Sequence, residues 1–382
     1  MNTSLSFKIY DLASQLPAEW DLISDTVFLH RAYLELLEKS APENMQCFFI
    51  GLYRNDNLCG VALSQFINLK TVESFGDRDQ CLKAKIRNFV FKHFSSNVLF
   101  VGNNMLTGQN AFAFTEMISE PEALKLLDIA AAEVKKSVNK KCSKVHLMVW
   151  KDFTSPQTTQ FQIPEFNAFY QFSTQPNMVL DIRKNWFSFD NYIGDLSKKY
   201  RDQYKRARKK AAGIAKRKLS LEEIQYYKAT INELYRTVSQ NAAFNTFYLP
   251  ENHFAEFKKL LGDKFLFYGY FDGEKLIGFN TLIKNGCDID TYFLGYDESC
   301  QREKMLYLNM LYDMIAYSVN KGYSRIIFAR TALEIKSSVG AKPVEMFGFI
   351  QHSNQVLNFF MRRFFRYFEP ETSWNERNPF KD

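Results

Sequence analysis

Residues 265–296 read FLFYGYFDGEKLIGFNTLIKNGCDIDTYFLGY. Three runs rich in aromatic and β-branched residues, 265–271, 276–283 and 289–296, are separated by two short polar breaks. That spacing predicts an antiparallel meander. The first break, DGEK, and the second, Asn285-Gly286, hold the residues that tolerate tight hairpin geometry. Beyond the meander, Met305, Leu308, Tyr312, Ile315 and Val319 recur at helical spacing, which predicts an apolar stripe lying on the sheet. Gly322 is placed to stop that helix, and residues 324–329 return as a strand. The order helix, meander, helix, strand is α+β and mixed, not a Rossmann alternation.

The same pattern occurs earlier. The stretch FFIGLYRNDNLCGVAL from Phe48 aligns with LFYGYFDGEKLIGFN from Leu266, so that Gly51 falls on Gly269, Leu58 on Leu276 and Gly60 on Gly278. A second match, SVNKKCSKVHLMVW from Ser137 against SVNKGYSRIIFAR from Ser318, comes in the same order at a shorter offset. Duplication is therefore expected, with an insertion in the first copy at about residues 70–97. The chain divides on this reading into domains 1–176 and 177–382, each a mostly antiparallel mixed sheet flanked by helices. The boundary is expected at the turn-prone Gln175-Pro176.

Length alone favours two domains, and a hydrophobic share of 46% supplies two cores. The 37 Phe and 20 Tyr read first as aromatic-rich cores, and second as a groove for an acyl chain. The amino terminus lacks the basic start and apolar run of a signal peptide, and no stretch is apolar for the length of a membrane span. A cytoplasmic location is the expectation, with peripheral contact at the inner face of a membrane left open. The six cysteines show no close pairing and the five histidines no metal-ligand spacing, so no metal site is expected. A net charge of +7 points mildly towards an anionic partner.

Two segments concentrate candidate site residues. In KKYRDQYKRARKK, an apolar stripe of Leu196, Tyr200, Tyr204, Ala207, Ala211 and Ile214 runs beside Lys198, Arg201, Lys205 and Arg208. Four cations on one helix face can clamp a phosphate, or can simply be solvated. In ARTALEIKSSVGAKP, Arg330 and Lys336 can grip a phosphate or carboxylate, and Gly340 permits close approach; the plain alternative is an irregular connector. Alternation along the strand puts Asp290, Tyr292 and Leu294 on one face. The tail LNFFMRRFFRYFEP packs against the second sheet as a strand, or rests on a membrane as a helix, and packing is the expectation.

These features resemble the GNAT superfamily of N-acyltransferases, and the tandem order resembles its Fem-type branch and related bacterial N-acyltransferases. The resemblance rests on the basic helix, on TYFLGYD, and on Glu334, Lys336, Gly340 and Pro343, which match an E-x-K-x-x-x-G-x-x-P pattern. It implies two fused GNAT-like domains with the working site in the second, and transfer of an acyl or aminoacyl group to an amine. It further implies an acyl-CoA, acyl carrier protein or aminoacyl-tRNA as co-substrate, and an amine acceptor such as a lipid or cell-wall precursor. Under it Arg201, Lys205, Arg208, Arg330, Lys336 and Gly340 bind the donor. Glu334, or Asp290 through water, is the base; Tyr292 or Tyr296 protonates the leaving group; Asn280 orients the acceptor. One departure stands out: the glycine-rich pyrophosphate loop is replaced by YDESCQREKML, which has no glycine. A degenerate, non-catalytic pair that binds RNA or an anionic membrane is the competing reading.

Overall fold

The computed structural model describes residues 4–71, 95–141, 144–241, 245–368 and 374–381. Most of the expected insertion, with Cys81 and Cys142, lies outside the described residues. The chain forms two compact units. Unit 1 gathers Met1–Thr174, Ala243–Pro250 and Glu345–Glu371; unit 2 gathers Gln175–Ala242, Glu251–Val344 and Thr372–Asp382.

In unit 1, β1 (Leu5–Tyr10), β2 (Met45–Arg54), β3 (Asn57–Asn68) and β4 (Asn97–Val101) pair in sequence as antiparallel neighbours, and β5 (Phe112–Phe114) pairs with β3. Helix α1 is Arg31–Ser40. The long helix α2 (Glu120–Lys141) then crosses over to β6 (Leu147–Phe153), which lies parallel to β4. Its buried Leu124, Leu127, Ala131, Val134 and Val138 repeat at helical spacing and form the face that meets the sheet. A single turn, α3 (Ser155–Thr158), precedes β7 (Tyr170–Asp181).

In unit 2, α4 (Phe189–Asp195) and α5 (Lys198–Lys210) lead to β8 (Ile214–Lys218). Helices α6 (Leu221–Tyr226), α7 (Lys228–Gln240) and α8 (His253–Leu261) follow. The meander is then β9 (Phe265–Asp272), β10 (Lys275–Asn285) and β11 (Asp288–Tyr296), close to its sequence expectation. Helix α9 (Glu298–Lys304) and helix α10 (Leu306–Asn320) cross to β12 (Arg325–Ala329), parallel to β11. Gly322 follows α10 at φ 72, as a terminating glycine should. The remaining elements are α11 (Leu333–Ser337), β13 (Lys342–His352) and α12 (Gln355–Phe368).

Three expectations are corrected. The units do divide at Thr174/Gln175, but Gln175-Pro176 is no turn; it lies within the continuous strand β7. Residues 345–352 of β13 belong with α12 to unit 1, not to the second copy, and from Phe347 to His352 the strand pairs with β6. Phe349 brings its ring to 4.4 Å from Phe161, in a cluster with Trp150, Phe153 and Phe166. The tail is therefore a helix and closes no second sheet. Finally, Met305 is not in the crossover helix: it sits left-handed at φ 49 and separates α9 from α10.

The two units share details that sequence matching could only suggest. In the first hairpin the ladder shifts past Cys59, between Leu52–Gly60 and Tyr53–Leu58; in the second it shifts past Ile277, between Tyr270–Gly278 and Phe271–Leu276. These are the aligned positions. A Cβ on Gly51 would meet Tyr53 at 3.0 Å and Leu58 at 3.2 Å, and one on Gly269 would meet Phe271 at 2.8 Å and Leu276 at 3.1 Å. An aromatic ring and a leucine thus fold over the same bare glycine in both. Each parallel strand also ends in a shift at a left-handed residue, Asp152 (φ 70) and Ala329 (φ 59). By the ladder registers Val101 stands at Thr291 and its partner Trp150 at Phe328, so the loop between helix and strand is longer in unit 1 than the Ser137/Ser318 match implied.

Candidate active site

The site begins where β11 and β12 part. Their parallel pairing consists of Asp288–Arg325, Ile289–Ile326 and Asp290–Ile327. Beyond it β11 runs on to Tyr296, while β12 ends at Ala329. Opposite β10, the ladder jumps from Asn280–Leu294 to Leu282–Thr291, so β11 carries an extra residue at Tyr292-Phe293. Such a bulge bends the strand and re-aims side chains. Thr281 Oγ donates to the Phe293 carbonyl at 2.6 Å and fixes the kink.

The bulge overturns one reading of the strand. Leu294 packs in the core with α10, whereas Tyr292 turns to the opposite face, against α8, where its ring lies 4.7 Å from Phe257. Asp290, opposite Ile283, therefore stays with Tyr292 on the α8 side, and only Leu294 leaves that face for α10. The Tyr292 hydroxyl is 2.9 Å from Nε2 of His253, a fully buried histidine that sequence reasoning missed because nothing near it in the chain announces a site. Asp290 is the last residue of β11 paired to β12, so it stands at the edge of the gap. Asn285 donates to it at 3.2 Å, and burial pushes its carboxyl up to about 7.

On the α10 face lie the two residues expected to hold substrate. Asn280 is 1% exposed, and neither its amide oxygen nor its amide nitrogen has a hydrogen-bond partner. It pairs with Tyr268 on β9 and Leu294 on β11. Leaving both ends of a buried amide unmade costs about 1–3 kcal/mol or more, so its retention points to a group that arrives from outside. Tyr296, opposite Gly278, lies 6.2 Å from Tyr307, and burial raises its phenol above the ordinary value.

The basic helix is less free than its sequence suggested. Tyr200 and Ala207 are buried as expected, but Ile214 has already entered β8. Arg201 donates to the Leu196 carbonyl. Arg208 pairs with Asp313 of α10 at 2.7 Å and donates to Asn309 at 3.2 Å. Asp313 also accepts from Tyr270 at 3.0 Å and lies 3.8 Å from Lys216, so the acid that balances this helix comes from another element. Lys205 alone of the three proposed donor ligands on α5 is solvent-exposed.

The E-x-K-x-x-x-G segment holds the protein to itself. The Lys336 ammonium is buried and donates to the carbonyls of Phe328 (2.6 Å), Ala329 (3.2 Å) and Arg330 (2.6 Å). Those carbonyls belong to a turn in which Ala329, Thr331 and Ala332 all have positive φ, an arrangement that needs such a clamp. Burial draws Lys336 down to about 7 and the Arg330 guanidinium to about 10. Gly340, at φ 99, leaves room for Phe380, whose ring would lie 2.4 Å from a Cβ there. Glu334 is on the surface, bonded to Arg377 at 2.7 Å. Lys336, Gly340 and Glu334 thus fasten the turn and the segment 374–381; they are not arranged as phosphate ligands or as a base.

YDESCQREKML forms α9 with Asp297 as its N-cap, accepting from the Ser299 N–H, and it builds no glycine cradle. A cavity of about 510 Å³ opens in unit 1, bordered by Phe169, Tyr170 and Asn358, and contains none of the expected site residues. Among the described residues no group of three or more His, Cys, Asp or Glu is arranged to hold a metal ion. Nor is any described helix long and apolar enough to cross a membrane.

Compared with known proteins, the chain matches no family model and no curated protein. Solved structures do match. FemX superposes with a TM-score of 0.53 at 12% identity, over 86% of this chain and 93% of FemX. A tandem GNAT protein from the clavulanic acid biosynthesis pathway gives 0.52 at 10% identity, over 92% and 99%. This is a tandem GNAT-like fold of the Fem type. In GNAT terms, the parting strands β11 and β12 with the crossover helix α10 form the centre of the second copy. The corresponding positions in the first copy hold Ala62 in place of Asn280 and Phe100 in place of Asp290.

Proposed function

We propose that the chain is an N-acyltransferase whose second unit moves an acyl or aminoacyl group from a phosphate-bearing activated donor to an amine. The observation that carries this reading is Asn280: a fully buried amide with both ends unmade, one strand from the gap between β11 and β12. The tandem GNAT-like fold supports the reaction class, and the two polar positions absent from unit 1 support confining it to unit 2.

In the reaction the amine lone pair attacks the donor carbonyl, a C–N bond forms, and the C–S or C–O bond breaks. The amine loses a proton, and the leaving thiol or hydroxyl takes one. A backbone N–H of β11 beyond Asp290, where β12 has parted from it, polarises the carbonyl, as an N–H fixed in place does without reorganisation. Asp290, which faces α8 from the edge of the gap, opposite to the side of Asn280, takes the amine proton through water between the parting strands. Asn280 orients the acceptor with one donor and one acceptor, and Tyr296 returns a proton to the leaving group. Lys205 is the exposed cation left for the donor's phosphate; Arg201 and Arg208 act by holding α5 in place. The absent glycine cradle favours an acyl carrier protein or aminoacyl-tRNA over acetyl-CoA.

Asn280→Leu tests the reading. Filling the site with an apolar side chain of similar size should raise the stability of the unliganded protein by about 1 kcal/mol, because the unmade amide is gone. It should also cut transfer at least ten-fold. A thermal melt and a single-turnover assay read both; a variant that is destabilised yet fully active would refute Asn280 as the acceptor's contact.

A further inference from the structure

Helix α12 reads QVLNFFMRRFFRYF, three arginines and no acidic residue. Its start is fixed to unit 1: Asn358 donates to the Ala168 carbonyl at 2.9 Å and accepts from the His352 N–H at 2.8 Å, while Met361 is buried. The opposite flank is presented outward. Phe359 is 81% exposed, Val356 66% and Phe360 47%, with the rings of Phe359 and Phe360 5.3 Å apart. Arg363 is exposed, one helical turn beyond Phe359, and positions 362 and 366 flank the same line at helical spacing.

Exposed large apolar groups held rigidly on a helix need a partner, and this one must also take positive charge. From these features we propose that α12 is an interfacial anchor: it lies in the headgroup layer of an anionic membrane, Phe359 entering the acyl boundary while the arginines meet lipid phosphates. Neither component is sufficient alone. Arginines without the phenylalanine give weak, salt-labile attachment, and a phenylalanine without charge does not select anionic lipid. Single-stranded nucleic acid offers phosphates and stacking bases, but no apolar depth for Val356 and Phe360. The anchor is independent of the transfer chemistry, since attachment is read without turnover.

Co-sedimentation of the full chain with vesicles tests it. Vesicles of phosphatidylcholine containing one-third phosphatidylglycerol should bind on the order of ten-fold more protein than phosphatidylcholine alone. Phe359→Ser and Arg363→Ala should each lower that binding several-fold without moving the melting temperature, because both side chains are exposed. Higher salt should weaken what remains of Phe359→Ser more than it weakens the parent. Equal binding to both vesicle types, or parent-level binding by Phe359→Ser, overturns the proposal. So does displacement by tRNA from a site that Phe359→Ser leaves unchanged, which assigns the helix to nucleic acid.

Discussion

At the scale of single residues, Asp290 joins chemistry to stability. Its folded-state pKa of about 7 lies above the ~3.9 of an aspartate in an unfolded chain. Between these values the folded protein keeps a proton that the unfolded chain has lost. Stability therefore falls as pH rises through that window and levels off above it. As the base, the same group must be ionised, so kcat/KM should rise through about pH 7. Asp290→Asn should abolish that limb, cut turnover at least ten-fold, and stabilise the protein at pH 8 by on the order of 2 kcal/mol. A retained acid limb in the variant would remove Asp290 from the reaction. Asn280 makes the same point from the other side: its cost to the empty protein is sensible only if a ligand repays it.

At the scale of elements, some parts were legible in sequence because their causes are local. Both hairpins were readable from turn chemistry, with Asn55 and Asp56 both at positive φ, and the crossover helix from its apolar period. The faces of β11 were not readable, because one extra residue at Tyr292-Phe293 reverses the alternation and nothing local marks it. The basic helix was legible as a helix, but its counter-ion was not, since Asp313 lies on α10. In the Arg330–Pro343 segment the structure ties the lysine to the protein's own backbone. Lys336 closes a turn instead of gripping a phosphate. Lys336→Met should therefore leave three carbonyls without a donor and destabilise by on the order of 2–4 kcal/mol. Chemical denaturation checks this, and a variant of unchanged stability with lost donor affinity would restore the phosphate role.

For the whole molecule, the duplication is clear and the division of the chain is not a simple cut. The return of residues 347–352 to pair with β6 could not be foreseen, because long-range strand pairing leaves no local pattern. A fragment of residues 1–176 lacks β13, and with it the ring of Phe349 in the Trp150–Phe153–Phe161 cluster. It should show little cooperative unfolding by circular dichroism, whereas a self-sufficient domain would melt sharply. The first copy carries Ala62 and Phe100 where the second carries Asn280 and Asp290, which supports assigning the proposed chemistry to the second.

The central claim is that this fold transfers an acyl group, and donor binding tests it most directly. Native mass spectrometry of the purified chain, titrated with coenzyme A, a long-chain acyl-CoA, acyl carrier protein and bulk tRNA, separates the possibilities. Transferase function predicts stoichiometric, saturable binding of one donor class that survives moderate salt. Binding of tRNA alone, unsaturable and falling steeply with salt in step with the phosphates contacted, would contradict it.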